Sequence, residues 1–331
     1  MPKPPVKSDP TESVEKASAK GSFIIRNAEV RAGKREQLEL PVARLVTGNW
    51  LHLPVSVING KTPGPTLFLS AAIHGDELNG VEIISRILRE LDPKILRGVV
   101  LAVPVVSMFG FLNQSRYMPD RRDLNRSFPG SANGSLTARL ANLFMKEVVG
   151  RSDYGIDLHT GSNERSNLPQ IRADLDDETT LQLAEAFGAP IMIHSRTRDG
   201  SLRAAAVKQG IPVLLYEGGE ANRFDDKAIT SGVSGIVNVM RTLGMLDGEP
   251  KATEVIRSDK SRWARASRSG IFHCACDLGQ RVEKGQSLGT IGDIFGETQA
   301  TVRSGDNGLV IGKLNNPLVN RGDALVHVAL T

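Results

Sequence analysis

Four short, continuous apolar runs recur along the first three-quarters of the chain: TLFLSAAI (66–73), VVLAVPVVS (99–107), YGIDLHT (154–160) and IPVLLYEGG (211–219). A run of this length with no polar alternation reads as a strand buried on both faces. A shorter run, PIMIHS (190–195), reads the same way. Between the runs lie segments with helical spacing. ELNGVEIISRILREL places Val81, Ile84, Leu88 and Leu91 on one face, and SLTARLANLFMKEVV starts with a capping Ser135. ETTLQLAEAFG closes at Gly188, and SLRAAAVKQG and ITSGVSGIVNVMRTLGML follow. Strands alternating with helices predict an α/β fold, with a mostly parallel mixed sheet and helices on both faces. Upstream, GSFIIRNAEV and LELPVARLVTGNWLHLPVSVING read as strands, with KTPGPT as a turn.

Beyond residue 248 the character changes. DGEPKATEVIRSDKSRW reads as a linker over 249–265, and residues 266–331 break into short, glycine-punctuated β segments. Two of these segments echo each other: Val282, Lys284–Gly285 and Leu288 answer Val319, Arg321–Gly322 and Leu325. The repeat predicts a small pseudo-symmetric all-β barrel or sandwich. The catalytic domain is expected over 21–248, preceded by a disordered tail over 1–20 that is rich in Pro, Ser, Lys and Glu.

Composition excludes several classes of function. With 40% hydrophobic and 24% charged residues the chain reads as a soluble globular protein. A net charge of +4, scattered, with 5% aromatic residues, argues against nucleic acid as a partner. No run of about 18 apolar residues predicts a membrane span, and the N-terminus lacks the apolar core of a secretory leader. Cys274 and Cys276 are too few for a disulfide framework and are expected to pack side by side on one face of a strand. A reducing cytoplasm is the expected location.

Three buried runs end in unusual polar residues: His74 with Glu77 just after it, His159, and Glu217. In a parallel sheet such ends gather at one edge, where sites form. Two imidazoles and a carboxylate make a catalytic zinc set with a position left open for water. A further carboxylate facing that water, Glu217, is the expected general base. The loop SRYMPDRRDLNRSFPG (115–130) supplies Arg116, Arg121, Arg122 and Arg126 with Asn125. Arg126 can grip a substrate carboxylate through paired N–H···O bonds, with Asn125 as a further donor. A second arginine can polarise the scissile carbonyl, and Asp123 can hold the outer N–H of a ligand histidine. His52, His194, His273 and His327 have no such company and are expected to be structural.

HGDE (74–77), DLNR (123–126), DLHTG (157–161) and YEGG (216–219), in this order and spacing, resemble the succinylglutamate desuccinylase/aspartoacylase family, within the zinc carboxypeptidase-like fold group. The likeness spans roughly 45–245. It implies one zinc ion per chain held by His74, Glu77 and His159, with Glu217 as base and Asn125 and Arg126 on the substrate carboxylate. It further implies Arg116 as the polarising arginine, with Arg121 or Arg122 as alternatives, and Asp123 behind a ligand. The string RDLNRSFPG and the C-terminal β region look most like members that deacylate N-acyl diamino acids. Aspartoacylases bring a C-terminal tyrosine to the site; here the tyrosines are Tyr117, Tyr154 and Tyr216, so acetylaspartate is not the expected substrate. The expected activity is a zinc-dependent amidohydrolase acting on a small N-acyl amino acid. A metallocarboxypeptidase and a non-catalytic metal-binding protein are the alternatives. The repeat resembles the halves of biotinyl/lipoyl carrier domains, but no lysine lies between Lys284 and Lys313 to bear the cofactor. The β region is therefore expected to shade the zinc cleft or to join subunits in a homo-oligomer.

Overall fold

The structure, a computed structural model, describes residues 21–331; the tail expected over 1–20 lies outside the described residues. A hairpin of β1 (Phe23–Ile25) and β2 (Ala28–Val30) leads into β3 (Lys34–Arg44), β4 (Trp50–Asn59), β5 (Thr62–Ala71), β6 (Arg97–Val103), β7 (Tyr154–Gly161), β8 (Arg165–Ala173), β9 (Ile191–His194) and β10 (Val213–Glu220). The helices are α1 (Asn79–Glu90), α2 (Met108–Leu112), α3 (Leu136–Glu147), α4 (Glu178–Phe187), α5 (Leu202–Val207) and α6 (Asp226–Thr242). The remaining strands are β11 (Ile256–Ser258), β12 (Ser261–Arg265), β13 (Gly270–Cys274), β14 (Arg281–Val282), β15 (Ser287–Gly292), β16 (Thr298–Arg303), β17 (Gly308–Leu314), β18 (Leu318–Val319) and β19 (Ala324–Leu330). No helix among the described residues is long and apolar enough to cross a membrane.

The central sheet runs β8–β10–β7–β5–β6–β4–β3. Its middle, β10–β7–β5–β6, is parallel, and the pairs outside that centre, β10–β8, β6–β4 and β4–β3, are antiparallel. Successive residues of a strand face opposite sides, and here both sides are covered. Leu67 and Leu69 pack with Ile83, Ile84, Phe187 and Ile236 of α1, α4 and α6. Phe68 packs with Leu140 and Phe144 of α3 and Leu202 of α5. That two-sided burial is why the strands read as unbroken apolar runs.

Helix ends follow local chemistry. The Ser135 hydroxyl accepts from the Ala138 N–H, and Asp177 and Asp225 cap α4 and α6 in the same way. Gly188 ends α4 with φ 73°, a left-handed turn that suits glycine.

Several expectations need correction. KTPGPT is not a turn throughout, because β5 already starts at Thr62, paired with Arg97, and the ladder resumes at Thr66 beyond the two prolines. Residues 249–265, expected as a linker, carry β11 and β12, which pair with β9 and β19. The C-terminal strands are also continuous with the central sheet. The start of β8 pairs with β17 (Asn167 with Gly312), while its end pairs with β9 (Gln170 with Ile191).

The internal repeat is a structural one. Val282 and Val319 lie in the two-residue strands β14 and β18, each followed by a turn with a left-handed glycine, Gly285 or Gly322. Leu288 and Leu325 then enter β15 and β19 and are fully buried in one shared core. Each short strand pairs with the first strand of the other half, β14 with β17 and β18 with β13. The cysteines lie side by side as expected, with Sγ atoms 3.7 Å apart, but not on one strand: Cys274 ends β13 exposed, whereas Cys276 lies beyond the strand and is buried in this core. Both are free thiols.

Candidate active site

His74 sits three residues past the end of β5, on a turn that passes tightly against α2. A Cβ at Gly75 would collide with the Gly110–Phe111 backbone, so the HGDE turn requires glycine there. The turn finishes before α1 begins at Asn79, which leaves Glu77 off the helix and aimed at the sheet. His159 lies in β7, within the parallel core of the sheet.

The three side chains meet. Nδ1 of His74 is 2.7 Å from Oε1 of Glu77, and Nδ1 of His159 is 2.7 Å from Oε2. The Thr160 N–H also donates to Oε2, at 3.1 Å. All three residues are buried. Burial would push Glu77 up, but the two imidazoles outweigh it and hold the carboxyl well below the usual carboxylate range. Burial would likewise lower both imidazoles, yet carboxylates win and raise them: chiefly Glu77 for His74, and Asp157 with Glu77 for His159.

This donor set fits a divalent metal. Two ring nitrogens and a carboxylate converge, their ligand atoms all within 4.8 Å of one another. Each imidazole is also held from behind by a second carboxylate: Nε2 of His74 is 3.2 Å from Asp123, and Nε2 of His159 is 2.9 Å from Asp157. Such outer partners fix ring orientation and make the imidazole a better ligand.

The loop after α2 brings its residues to the same place. Arg116 pairs with Oδ2 of Asp123 through Nε at 3.1 Å and Nη2 at 2.8 Å, and its Nη1 lies 3.2 Å from Nδ1 of His74. Arg121 and Arg122 are exposed and do not line the cavity around the histidines, so Arg116 alone of the three faces it. Asn125 is buried. Its oxygen accepts from the Leu202 N–H at the start of α5, which leaves the amide NH2 to donate. Arg126 is exposed at the cavity wall.

Glu217 is the register partner of His159 on the adjacent parallel strand. Its strand does not stop there, as expected, but continues through a bulge to Glu220. Oε2 of Glu217 accepts from Nδ2 of Asn167 at 2.7 Å and lies 3.3 Å from Nε of Arg172. Glu220 turns away to Asn315 and Arg223. The cavity lined by His74, Glu77, His159, Arg116, Asn125 and Glu217 holds about 680 Å³, within the range of small-molecule sites.

Sequence reasoning missed part of this site. Asp157, buried behind His159, had a signal: it stands two residues before His159, hence on the same strand face. Asn167 and Arg172 come from β8, which is too polar to read as a buried strand. His327, expected to be structural, lies in the cavity wall with Trp263. His52, His194 and His273 stay outside it. His194 does meet Asp174 and Asp176, but its Nδ1 already accepts from the Leu175 N–H.

The family model for the succinylglutamate desuccinylase/aspartoacylase catalytic domain matches residues 63–243, more than half of the chain. The N-alpha-acetyl-L-2,4-diaminobutyric acid deacetylase of Halomonas elongata is 29% identical over 311 residues, covering 88% of this chain and 90% of that protein. A crystal structure of a succinylglutamate desuccinylase/aspartoacylase from Rhodobacter sphaeroides superposes with TM-score 0.79 at 28% identity, over 89% of this chain and 95% of that one. A product-bound ectoine utilization protein from Ruegeria pomeroyi superposes with TM-score 0.81 at 26% identity, over 90% and 95%. With its motifs, its fold and its His–Glu–His cluster in agreement, the chain belongs to the succinylglutamate desuccinylase/aspartoacylase family.

Proposed function

We propose that the protein is a zinc-dependent amidohydrolase that removes a short acyl group from a small N-acyl amino acid. The observation that carries this reading is the buried His74–Glu77–His159 cluster, with Glu217 on the neighbouring strand. The deacetylase activity named for the Halomonas relative supports it. His74, Glu77 and His159 would hold the zinc, which when bound supplies Lewis-acid polarisation and lowers the pKa of water.

The chain's own groups do the rest. Glu217 accepts a proton from the attacking water and delivers it to the leaving nitrogen. Asn167 fixes the carboxylate of Glu217 for both transfers. Arg116, itself held by Asp123, points N–H donors at the site and steadies negative charge developing on the carbonyl oxygen. Asn125 and Arg126 bind the substrate carboxylate. Small substrates are favoured over peptides because Trp263, Arg265 and His327 from the C-terminal strands, with Asp323 from the turn before β19, close one side of the cavity.

The test is a screen of N-acyl amino acids with zinc-loaded wild type and His159→Ala. Zinc-dependent release of free amine by wild type alone is expected. Equal turnover by both proteins, or cleavage of C-terminal peptide bonds only, would sink the proposal.

A further inference from the structure

The chain carries two cysteines, and the fold brings both thiols to one spot. Neither lines the catalytic cavity. Cys274 closes β13 in register with Gly289, and the Ala275 N–H still donates to the Leu288 carbonyl. There the chain leaves the ladder. In a continuing strand the two cysteines would stand about 6.5 Å apart along one face. Instead Cys276 turns into the core that holds Leu288 and Val310, and its Sγ comes to 3.7 Å from Sγ of Cys274.

The two thiols differ in access. Cys274 is exposed, and Cys276 is buried. As a thiol, Cys274 donates to the Cys276 carbonyl at 3.4 Å. As a thiolate it accepts from the Cys276 S–H. This bond outweighs burial and holds Cys274 below the ordinary thiol range, with help from the Lys313 ammonium and against Asp277. The same bond, then burial, pushes Cys276 up. The exposed sulfur therefore ionises first, with a protonated thiol in contact behind it. A thiolate is the nucleophile in disulfide exchange, and a second thiol within reach resolves the mixed disulfide that forms. A disulfide closed across one residue removes little chain entropy, so the pair serves exchange better than it would serve as a staple.

We propose that Cys274 and Cys276 form a thiol–disulfide exchange site for low-molecular-weight disulfides. The Cys274 thiolate attacks one sulfur of the disulfide RSSR, which forms Cys274–S–S–R and expels RS⁻. Cys276 then loses its proton to solvent and attacks Sγ of Cys274, which closes the Cys274–Cys276 disulfide and expels the second RS⁻. The two protons given up by the protein thiols end on two RSH. The protein dithiol is oxidised by two electrons, and the small disulfide is reduced by two. The site is separate from the deacylase chemistry and stands or falls independently of it.

The test incubates the zinc-loaded full chain, freed of unbound metal, with a large excess of glutathione disulfide at neutral pH. Remaining thiols are then alkylated with N-ethylmaleimide in denaturant, and the intact mass is read. Wild type should end with no alkylated thiol and no bound glutathione, and dithiothreitol should restore both thiols. Cys276→Ala should stop at one glutathione on Cys274. Alanine is chosen because a serine there would bury an unpartnered hydroxyl. Cys274→Ser should react at least about tenfold more slowly than wild type, because only a buried and less acidic thiol remains. The proposal is overturned if wild type keeps two alkylatable thiols, if it stops at a stable glutathione adduct, if Cys276→Ala takes up no glutathione, or if Cys274→Ser reacts as fast as wild type.

Discussion

Oδ2 of Asp157 lies 2.9 Å from Nε2 of His159, two residues further along the same strand. The other oxygen of Asp157 accepts from the Ser70 hydroxyl on β5, so the carboxylate is fixed at both ends. Its role is to orient the His159 ring, which puts Nδ1 toward Glu77. Asp157→Asn should therefore weaken zinc binding about 10–100-fold while the fold is kept. Competition against a chelator of known affinity measures this, and unchanged affinity would make Asp157 a purely structural residue.

Glu217 contacts neither histidine, yet it stands beside His159 across the β10–β7 ladder. Glu217→Gln keeps the shape and the Asn167 neighbour but cannot take up a proton. Zinc content should stay at the wild-type level and turnover should fall about 10²–10⁴-fold. Full turnover in this variant would move the base elsewhere. Glu220 is a poor substitute, since its carboxylate is already bound to Asn315.

How much of this was legible depended on which faces each strand buries. The strands β5, β6, β7 and β10 could be read because helices cover both their faces and their central positions are mostly apolar. The strand β8 could not. It buries Asn167 and Gln170, whose amides donate to Glu217 and to the Ile311 carbonyl. Those polar residues are stable inside only because they are hydrogen-bonded, and sequence alone does not show the partner. The His74–Glu77–His159 cluster was readable from local strand-end pattern. The His327–Trp263 wall was not, because it forms only when β12 and β19 fold back over a cavity built by residues far earlier in the chain.

Arg126 is exposed at the cavity wall, and among the described residues its guanidinium makes one hydrogen bond, Nη1 to the Asn125 carbonyl, at 2.6 Å. Most of its fork therefore faces the cavity. Arg126→Lys retains the charge and loses paired donation. KM for a carboxylate-bearing substrate should rise about tenfold, the size of one charge-assisted hydrogen bond, with little change for an amide-capped analogue. Equal loss on both substrates would show that Arg126 supports the loop and not the ligand.

His327 gives the protein an acid sensitivity outside the His74–Glu77–His159 cluster. It titrates at about 3 in the folded state, against an ordinary value of 6.5. Below about pH 6.5 the unfolded chain takes up a proton that the folded chain refuses, so this residue makes stability fall as pH falls toward 3. At pH 5 the deficit is about 2 kcal/mol. His74 and His159 act in the opposite sense in the metal-free protein, because their folded values are raised. Comparing wild type with His327→Gln cancels their contribution. Urea unfolding of both metal-free proteins at pH 7 and pH 5 should show the wild type losing about 2 kcal/mol more than the variant over that interval. Equal losses would mean that His327 can be protonated in place, with its ring no longer screened from water by Trp263.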